Sequence, residues 1–199
     1  MAKSEPVKKV NYTPWIVLGA ILAIVLILGL WLVGSYNSLV RLDENVNNKW
    51  AQVETVYQRR ADLIPNLVAT VQGAANFEKS TFVEVTEART KWLNAGSVNE
   101  KVQAANGLES ALARLLVTFE NYPQLKANQN FLALQDELAN TENKISVERQ
   151  RYNDAVNEMN RKIRAFPSNV VAGMFGFGQR IYFESAEGAE NAPTVSFVV

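Results

Sequence analysis

The sequence predicts an all-α fold: an elongated antiparallel four-helix bundle whose first helix is continuous with an N-terminal transmembrane helix. Two patterns lead to this prediction. No charged residue occurs between Lys9 and Arg41, and an uncharged apolar run of that length is typical of a membrane span. From Tyr36 onward, apolar residues recur at spacings of three and four, which indicates helices that each bury one stripe.

The membrane anchor is predicted over residues 14–35. Trp15 to Val33 is apolar throughout, and at about 1.5 Å per helical residue it is long enough to cross the hydrocarbon core. Trp15 and Trp31 mark the two lipid–water interfaces. A cleaved signal peptide is the alternative, but the run exceeds the usual length of its apolar region, which favours an uncleaved signal anchor. Gly19 and Ala23 lie one turn apart, a spacing that lets two such helices pack.

The charges that flank the anchor predict its orientation. Three lysines lie in the short tail, residues 1–13, whereas Arg41 and Lys49 are the first basic residues after the anchor. Under the positive-inside rule, this places the tail in the cytoplasm and the rest of the chain in the periplasm or otherwise outside the cytoplasm. We therefore expect a single-pass protein of the inner (cytoplasmic) membrane. The opposite topology is the alternative, because the difference in charge is small.

Composition excludes several classes of function. The chain has 20 basic and 20 acidic residues, so it offers no electrostatic footprint for nucleic acid. It contains no histidine and no cysteine. Their absence excludes Cys–His and Ser–His nucleophile pairs, haem and iron–sulfur ligation, and the usual zinc sites. We expect no catalytic residue, no cofactor and no metal, and we expect that the protein is not an enzyme.

The helical bundle is predicted over residues 36–167, and its first helix runs to about Arg59. A chain reversal is expected at Ala61-Asp62, where Asp62 caps a second helix and Pro65 falls in its first turn. The first helix is expected to bury Tyr36, Leu39, Val46, Trp50, Val53 and Tyr57, with Asp43 as one polar interruption. The second is expected to bury Ile64, Leu67, Val71, Ala74, Phe82, Val85, Ala88 and Trp92.

The third and fourth helices have clearer boundaries. Gly96 ends the second helix, and Ser97-Val98-Asn99-Glu100 is a capping box that opens the third, which must end before Pro123. The fourth begins near Asn128 and closes at Pro167. The fourth helix is expected to bury Phe131, Leu134, Leu138, Thr141, Ile145, Tyr152, Val156, Met159, Ile163 and Phe166. The third is expected to bury Val102, Ala105, Leu108, Leu112, Leu115, Phe119 and Tyr122.

A polar cluster interrupts the fourth helix. Its members are Thr141, Glu142, Asn143, Arg149, Arg151, Tyr152, Asn153 and Asn157. Thr141 lies on the apolar seam, and Asn153 is one turn from Asn157. We expect some of these groups to enter the bundle and hydrogen-bond there, or to cap the bend over residues 122–130. A ligand or partner site is the alternative.

Residues 168–199 form a C-terminal tail rich in glycine and phenylalanine. A short helix is expected over Val170–Met174, after which Gly173 to Gly178 alternates glycine with aromatic residues and cannot hold a long helix. One interpretation is that Phe175, Phe177 and Phe183 pack back onto the bundle. The other is that the apolar end, Phe197, Val198 and Val199, docks a partner by strand addition.

Several stretches resemble the LemA family of bacterial membrane-anchored helical proteins. They are Arg60-Ala61-Asp62-Leu63-Ile64-Pro65-Asn66-Leu67-Val68, Tyr122-Pro123-x-Leu125-Lys126-Ala127-Asn128, Thr141-Glu142-Asn143 and Phe166-Pro167-Ser168-Asn169. The resemblance implies a four-helix bundle with an N-terminal membrane helix, in a family whose molecular activity is not established. It also implies a relative in the magnetosome membrane system, and with it a role in membrane organisation. Family descriptions often place the short N-terminus outside the cell, opposite to the orientation that the charges indicate.

Two functional classes follow from these patterns. The first is a scaffold or protein-interaction module at the bacterial cell envelope. Its expected partners are the lipid bilayer and unidentified proteins, and further copies of the chain are another candidate. The second is an extracytoplasmic ligand-sensing or signalling bundle. Receptor bundles of that kind normally return through the membrane, and residues 36–199 contain no second span. The scaffold is therefore preferred.

Overall fold

The computed structural model describes residues 13–72, 79–119, 122, 125 and 128–183. Across these residues it contains five helices and no strand, so the all-α prediction is confirmed. In chain order the helices are α1 (Thr13–Gln72), α2 (Lys79–Asn94), α3 (Val98–Phe119), α4 (Gln129–Arg164) and α5 (Ser168–Phe175).

Helix α1 has 60 residues and, at 1.5 Å per residue, is about 90 Å long. It passes through Gly34-Ser35 without interruption, as predicted. The predicted chain reversal at Ala61-Asp62 is wrong, because α1 continues for eleven residues beyond Ala61 and contains Pro65. Ile64, Leu67 and Val71, assigned above to a second helix, are therefore buried residues of α1.

The structure shows how α1 tolerates its internal proline. Pro65 has no N–H, so the carbonyl oxygen of Ala61, four residues earlier, loses its helical hydrogen bond. Arg89 of α2 replaces the missing donor, because its Nε donates to the Ala61 oxygen at 2.8 Å. A side chain from a neighbouring helix thus satisfies the buried carbonyl and lets α1 continue.

Buried residues of α1 recur every seven positions, in register on both sides of Pro65. One row is Leu39, Val46, Val53, Arg60 and Leu67, and another is Tyr57, Ile64 and Val71. The main row of α4 is Phe131, Leu138, Ile145, Tyr152 and Met159. This spacing is typical of long helices packed side by side at a shallow angle. The two helices are antiparallel, since Arg60 pairs with Glu142 and Trp50 packs against Tyr152.

Helices α2 and α3 pack against each other and contribute to the same core. The predicted capping box between them is confirmed, because the Glu100 N–H donates to Ser97 Oγ at 3.2 Å and the Ser97 N–H to Glu100 Oε2 at 3.3 Å. Asn128 caps α4 by accepting hydrogen bonds from Asn130 and Phe131. The predicted buried residues of α3 are confirmed from Val102 to Phe119.

Helix α5 confirms the short helix predicted after Ser168 and ends at Gly176, whose φ of +76° is the left-handed geometry that glycine adopts without strain. The chain then returns along α4 as far as Phe183. Phe183 is buried, Phe177 is partly buried against the core, and the Phe175 ring lies 4.7 Å from that of Tyr36. Phe166 was expected on the buried stripe of α4, but it follows the end of that helix and is 84% exposed.

Candidate functional site

The four residues predicted to mark the anchor all lie on the N-terminal part of α1. One window of this helix has a mean hydropathy of 3.1 and is long and apolar enough to cross a membrane. Trp15 and Trp31 are exposed in the structure, as is the rest of that window. A side chain added at Gly19 would meet nothing within 4 Å. The surface formed by Gly19 and Ala23 is therefore uncovered within the described protein.

The predicted docking residues, Phe197, Val198 and Val199, lie outside the described residues. An earlier part of the C-terminal tail, Arg180–Phe183, lies along the surface of α1 and α4. It has no helical structure, and side chains from both helices bind it. We call this surface the return-segment groove.

Two asparagines of α4 hold the backbone of the return segment. Asn160 donates to the Arg180 carbonyl oxygen at 2.8 Å and accepts from the Arg180 N–H at 2.9 Å. Asn153 makes the same pair of bonds to Phe183, both at 2.9 Å. The two asparagines are seven residues apart, which places them on the same face of the helix. We call this pair the asparagine clamp.

A carboxamide carries both a donor and an acceptor, so each asparagine satisfies one complete backbone unit of an extended chain. Between the two clamped residues, the Ile181 carbonyl oxygen accepts a hydrogen bond from the Tyr152 hydroxyl at 3.1 Å. The groove therefore binds backbone groups in the way that a neighbouring strand would, although it is built on helices.

An aromatic pocket holds the end of the return segment. The Phe183 ring stacks on Trp50 and Tyr57, with centroid distances of 6.0 and 6.3 Å, and meets the edge of Tyr152 at 5.6 Å. The Arg149 guanidinium lies 4.7 Å from the centre of the ring, within the range of a cation–π contact. The pocket encloses the ring almost completely, since Phe183 is 4% exposed.

An ion pair holds the other end of the segment. Arg180 Nη2 lies 2.7 Å from Asp43 Oδ1, and its Nε donates to the same oxygen at 3.2 Å. This contact explains why an acidic residue interrupts the apolar stripe of α1 at Asp43. The groove thus contacts an arginine and, three residues later, a phenylalanine.

A partly buried polar network lies beside the Phe183 pocket. The Tyr57 hydroxyl donates to Glu109, and Arg149 Nη1 donates to both Glu109 oxygens at 3.0 and 2.8 Å. Burial and the adjacent Glu109 carboxylate raise the pKa of Tyr57 above its ordinary value. Burial also raises the pKa of Tyr152. Both hydroxyls therefore stay protonated at neutral pH and act as hydrogen-bond donors.

Most of the predicted polar cluster serves packing and the groove. Thr141 is buried and donates to the Leu138 carbonyl oxygen, whereas Glu142 pairs with buried Arg60. Asn143 and Asn157 are exposed. Asn153 enters the structure as expected, but its partner is Phe183 rather than the bend before α4. Asn160 was missed, although its place in the seven-residue register of Asn153 is visible in the sequence.

A second concave surface lies where α1 meets α2. Its volume is about 490 Å³, and its walls include Val68, Phe82, Val83, Thr86 and Thr90. Among the described residues, no group of three or more acidic side chains is placed to hold a metal ion. The chemistry that the described surfaces support is the binding of apolar and peptide groups.

Comparison with known proteins identifies related sequences. The model of the LemA family matches residues 49–197. The chain is similar to the magnetosome proteins MamQ 1 and MamQ 2 of Paramagnetospirillum magneticum, each 27% identical over 75% of this chain and 64% of the relative. It is also similar to Protein LemA of Metamycoplasma hominis, 27% identical over 78% of this chain and 71% of the relative.

The chain thus spans a little under two thirds of the length of the MamQ proteins. The family match covers residues 49–197, from the middle of α1 to the C-terminal tail, which is more than half of the chain. The chain belongs to the LemA family.

Proposed function

We propose that this protein is a membrane-anchored helical scaffold of the bacterial cell envelope that presents a rigid helical domain to partner proteins. In this proposal, α1 to α4 form an elongated antiparallel four-helix bundle. Residues 1–13 lie in the cytoplasm and the bundle lies outside it. The role is non-enzymatic, in line with a sequence that lacks histidine and cysteine.

The continuity of α1 is the observation that carries the proposal. The same helix contains the apolar window near the N-terminus and the core residues from Leu39 to Val71. A continuous α-helix transmits position and angle along its length, whereas a flexible linker does not. A rigid connection would be needed by a scaffold that holds partners at a set distance from the bilayer.

The name of the MamQ relatives, magnetosome proteins, supports a role in membrane organisation. The resemblance described above implies a relative in the magnetosome membrane system, and a scaffold that fixes partners relative to a bilayer suits such a setting. We extend only this general role to the present chain, since it spans part of the length of those relatives.

The rigid connection can be tested by inserting residues after Ser35. Seven Gly/Ser residues would make a flexible break, whereas seven alanines would keep the helix and, after about two turns, restore its face. The two variants are matched in length. We expect crosslinking in native membranes to recover the same partners with the alanine insertion and to lose them with the flexible one. Recovery of the same partners by both variants would contradict the proposal.

The partner surface can be tested separately with a chain that ends at Phe183. Pull-down from native membranes with this variant and with the full chain shows whether residues 184–199 are required. Loss of partners on truncation would support docking by Phe197, Val198 and Val199. Unchanged capture would indicate that partners bind the helical surface and not residues 184–199.

Ligand sensing is the second candidate, and the groove between α1 and α2 favours it. Its volume of about 490 Å³ is within the range of small-molecule sites, and its walls combine apolar residues with polar and charged ones: Val68, Phe82, Val83, Thr86, Glu87, Thr90 and Lys91. A metabolite that raises the melting temperature by several degrees would support sensing, because ligands that bind only the folded state stabilise it. A Val83→Asp variant, which places a charge in this groove, should then abolish the shift.

A further inference from the structure

Helix α5 and Phe166, which lies two residues before it, carry an apolar surface that the described residues leave largely exposed. Phe166 is 84% exposed and Met174 is 66% exposed, and Val170 and Phe175 are about half exposed. We call these four residues the α5 apolar face. The opposite side of the helix, Ser168, Val171 and Ala172, is buried. Exposed aromatic and aliphatic residues that cluster in this way mark a surface that binds a partner or a membrane.

The contacts of α5 place it beside the end of the apolar window. The Tyr36 ring lies 4.7 Å from Phe175 and 5.9 Å from Phe177. Tyr36 follows Val33, the last residue of the apolar run, by three positions. Ser35 is the first buried side chain of α1 among the described residues. Packing onto α1 therefore begins at the level where the apolar window ends.

The antiparallel register of α1 and α4 gives the same position independently. Tyr152 packs against Trp50. Arg164, the last residue of α4, lies twelve residues after Tyr152, and Ser38 lies twelve residues before Trp50. Since both helices rise equally per residue, α4 ends at about the level of Ser38, and Phe166 follows two residues later. The α5 apolar face is thus continuous with the exposed apolar surface of α1.

The charges around this face match a phospholipid surface. Arg161, Lys162 and Arg164 occupy the last turn of α4, directly before Phe166. No acidic residue occurs between Glu158 and Glu184. Basic side chains beside an exposed apolar helix are typical of segments that lie in the headgroup region of anionic membranes.

We propose that α5 is a second, interfacial membrane contact: its apolar face enters the headgroup–acyl boundary of the bilayer that α1 crosses, and the basic last turn of α4 contacts anionic headgroups. This inference rests on the membrane anchoring proposed above. A single spanning helix is free to tilt and rotate, and interfacial contacts restrict both motions. Helix α5 would therefore fix the angle at which the helical domain stands on the membrane.

The absence of native cysteine allows the proposal to be tested with single labels on the full chain. Met174→Cys and, as a second position, Val170→Cys receive an environment-sensitive fluorophore. Leu30→Cys is the positive control within the apolar window, and exposed Val117→Cys of α3 is the negative control. The proteins are reconstituted into phosphatidylcholine vesicles containing phosphatidylglycerol, with and without lipids that carry a quencher near the headgroup.

We expect the quencher lipids to reduce the fluorescence at positions 174 and 170, as at position 30, and to leave position 117 unchanged. Quenching at position 30 alone would overturn the interfacial contact and leave the anchor intact. Absence of quenching at all positions would overturn both the anchor and the contact. Labels at 170 and 174 that are shielded from aqueous iodide but unaffected by quencher lipids would show that a second copy of the chain covers the face, which also overturns the assignment to lipid.

Discussion

The continuity of α1 past Pro65 depends on one hydrogen bond from another helix, and this dependence can be measured. Arg89 donates to the Ala61 carbonyl oxygen at 2.8 Å, the oxygen that Pro65 leaves without a helical donor. The Arg89→Met substitution keeps much of the side-chain volume and removes the donor. Pro65→Ala restores the N–H that would bond to Ala61, so it should make Arg89 dispensable.

The expected size of the effect follows from the type of bond. A hydrogen bond to a charged group contributes about 1.5–3 kcal/mol, and an unsatisfied buried carbonyl costs a similar amount. Arg89→Met should therefore lower the free energy of unfolding by about 1.5–3 kcal/mol in the native sequence. In the Pro65→Ala background the loss should fall below about 1 kcal/mol, which leaves a coupling energy of about 0.5–3 kcal/mol between the two sites.

The assay is urea unfolding of the four proteins in mild detergent, followed by far-ultraviolet circular dichroism. Arg114→Met is the matched control, because Arg114 pairs with Glu84 in an exposed ion pair whose loss should cost about 0–1 kcal/mol. Equal losses from Arg89→Met in the two backgrounds would show that Arg89 does not compensate the Ala61 carbonyl for the N–H that Pro65 lacks.

Three further predictions concern the groove and its surroundings. Asn153→Ala removes two hydrogen bonds to the backbone, worth about 1–3 kcal/mol together, and should accelerate amide hydrogen exchange at Phe183 by about 5- to 150-fold. Asn143→Ala, on the exposed side of α4, is the control. Equal exchange rates in the two variants would exclude the asparagine clamp. Phe183→Ala should lower the free energy of unfolding by about 3–5 kcal/mol, whereas Phe166→Ala should change it by less than about 0.5 kcal/mol in detergent. Urea unfolding of the two variants measures both values. Similar losses would contradict the buried position of Phe183. The pKa of Tyr57 is raised in the folded state, so its hydroxyl stays protonated there while that of the unfolded state ionises. The free energy of unfolding should therefore fall as pH rises above the ordinary pKa near 10, by up to about 1.4 kcal/mol per pH unit. Tyr57→Phe should remove this part of the slope in unfolding measured from pH 8 to 11, and an unchanged slope would exclude the assignment to Tyr57.

Much of the helical core could be predicted from apolar spacing alone. The buried residues of α3 and the capping box at Ser97 follow from local signals, because periodicity and capping act within one helix. The end of α1 did not follow. Asp62 and Pro65 carry the same local signal whether a helix begins there or continues. The donor that decides between them, Arg89, is 28 residues from Ala61 along the chain.

A second signal in the sequence pointed to the continuous helix. The seven-residue row of Leu39, Val46, Val53, Arg60 and Leu67 keeps its phase through Pro65. A chain reversal at Ala61 would break that phase. Arg60 obscured the row, because a charged residue at a buried position is uncommon and here depends on pairing with Glu142.

The return-segment groove could be predicted only in part. The spacing on α4 indicated that polar side chains enter the bundle; Thr141 is buried there, and Asn153 is partly buried beneath the return segment. Its partner could not be inferred, since the path of residues 176–183 depends on where α5 ends and on the ion pair between Arg180 and Asp43, 137 residues apart. Backbone groups of a returning segment leave no periodic pattern in the residues that bind them.

The most direct test of the rigid connection between membrane and helical domain is a distance across Ser35. Spin labels at Leu26→Cys and Glu44→Cys, both exposed, are eighteen residues apart, which is five turns and about 27 Å in a continuous helix. In lipid nanodiscs we expect one narrow distribution near that distance. The seven-residue Gly/Ser insertion should give a broad one. A broad distribution in the unmodified protein would contradict the rigid coupling on which the proposed scaffold depends.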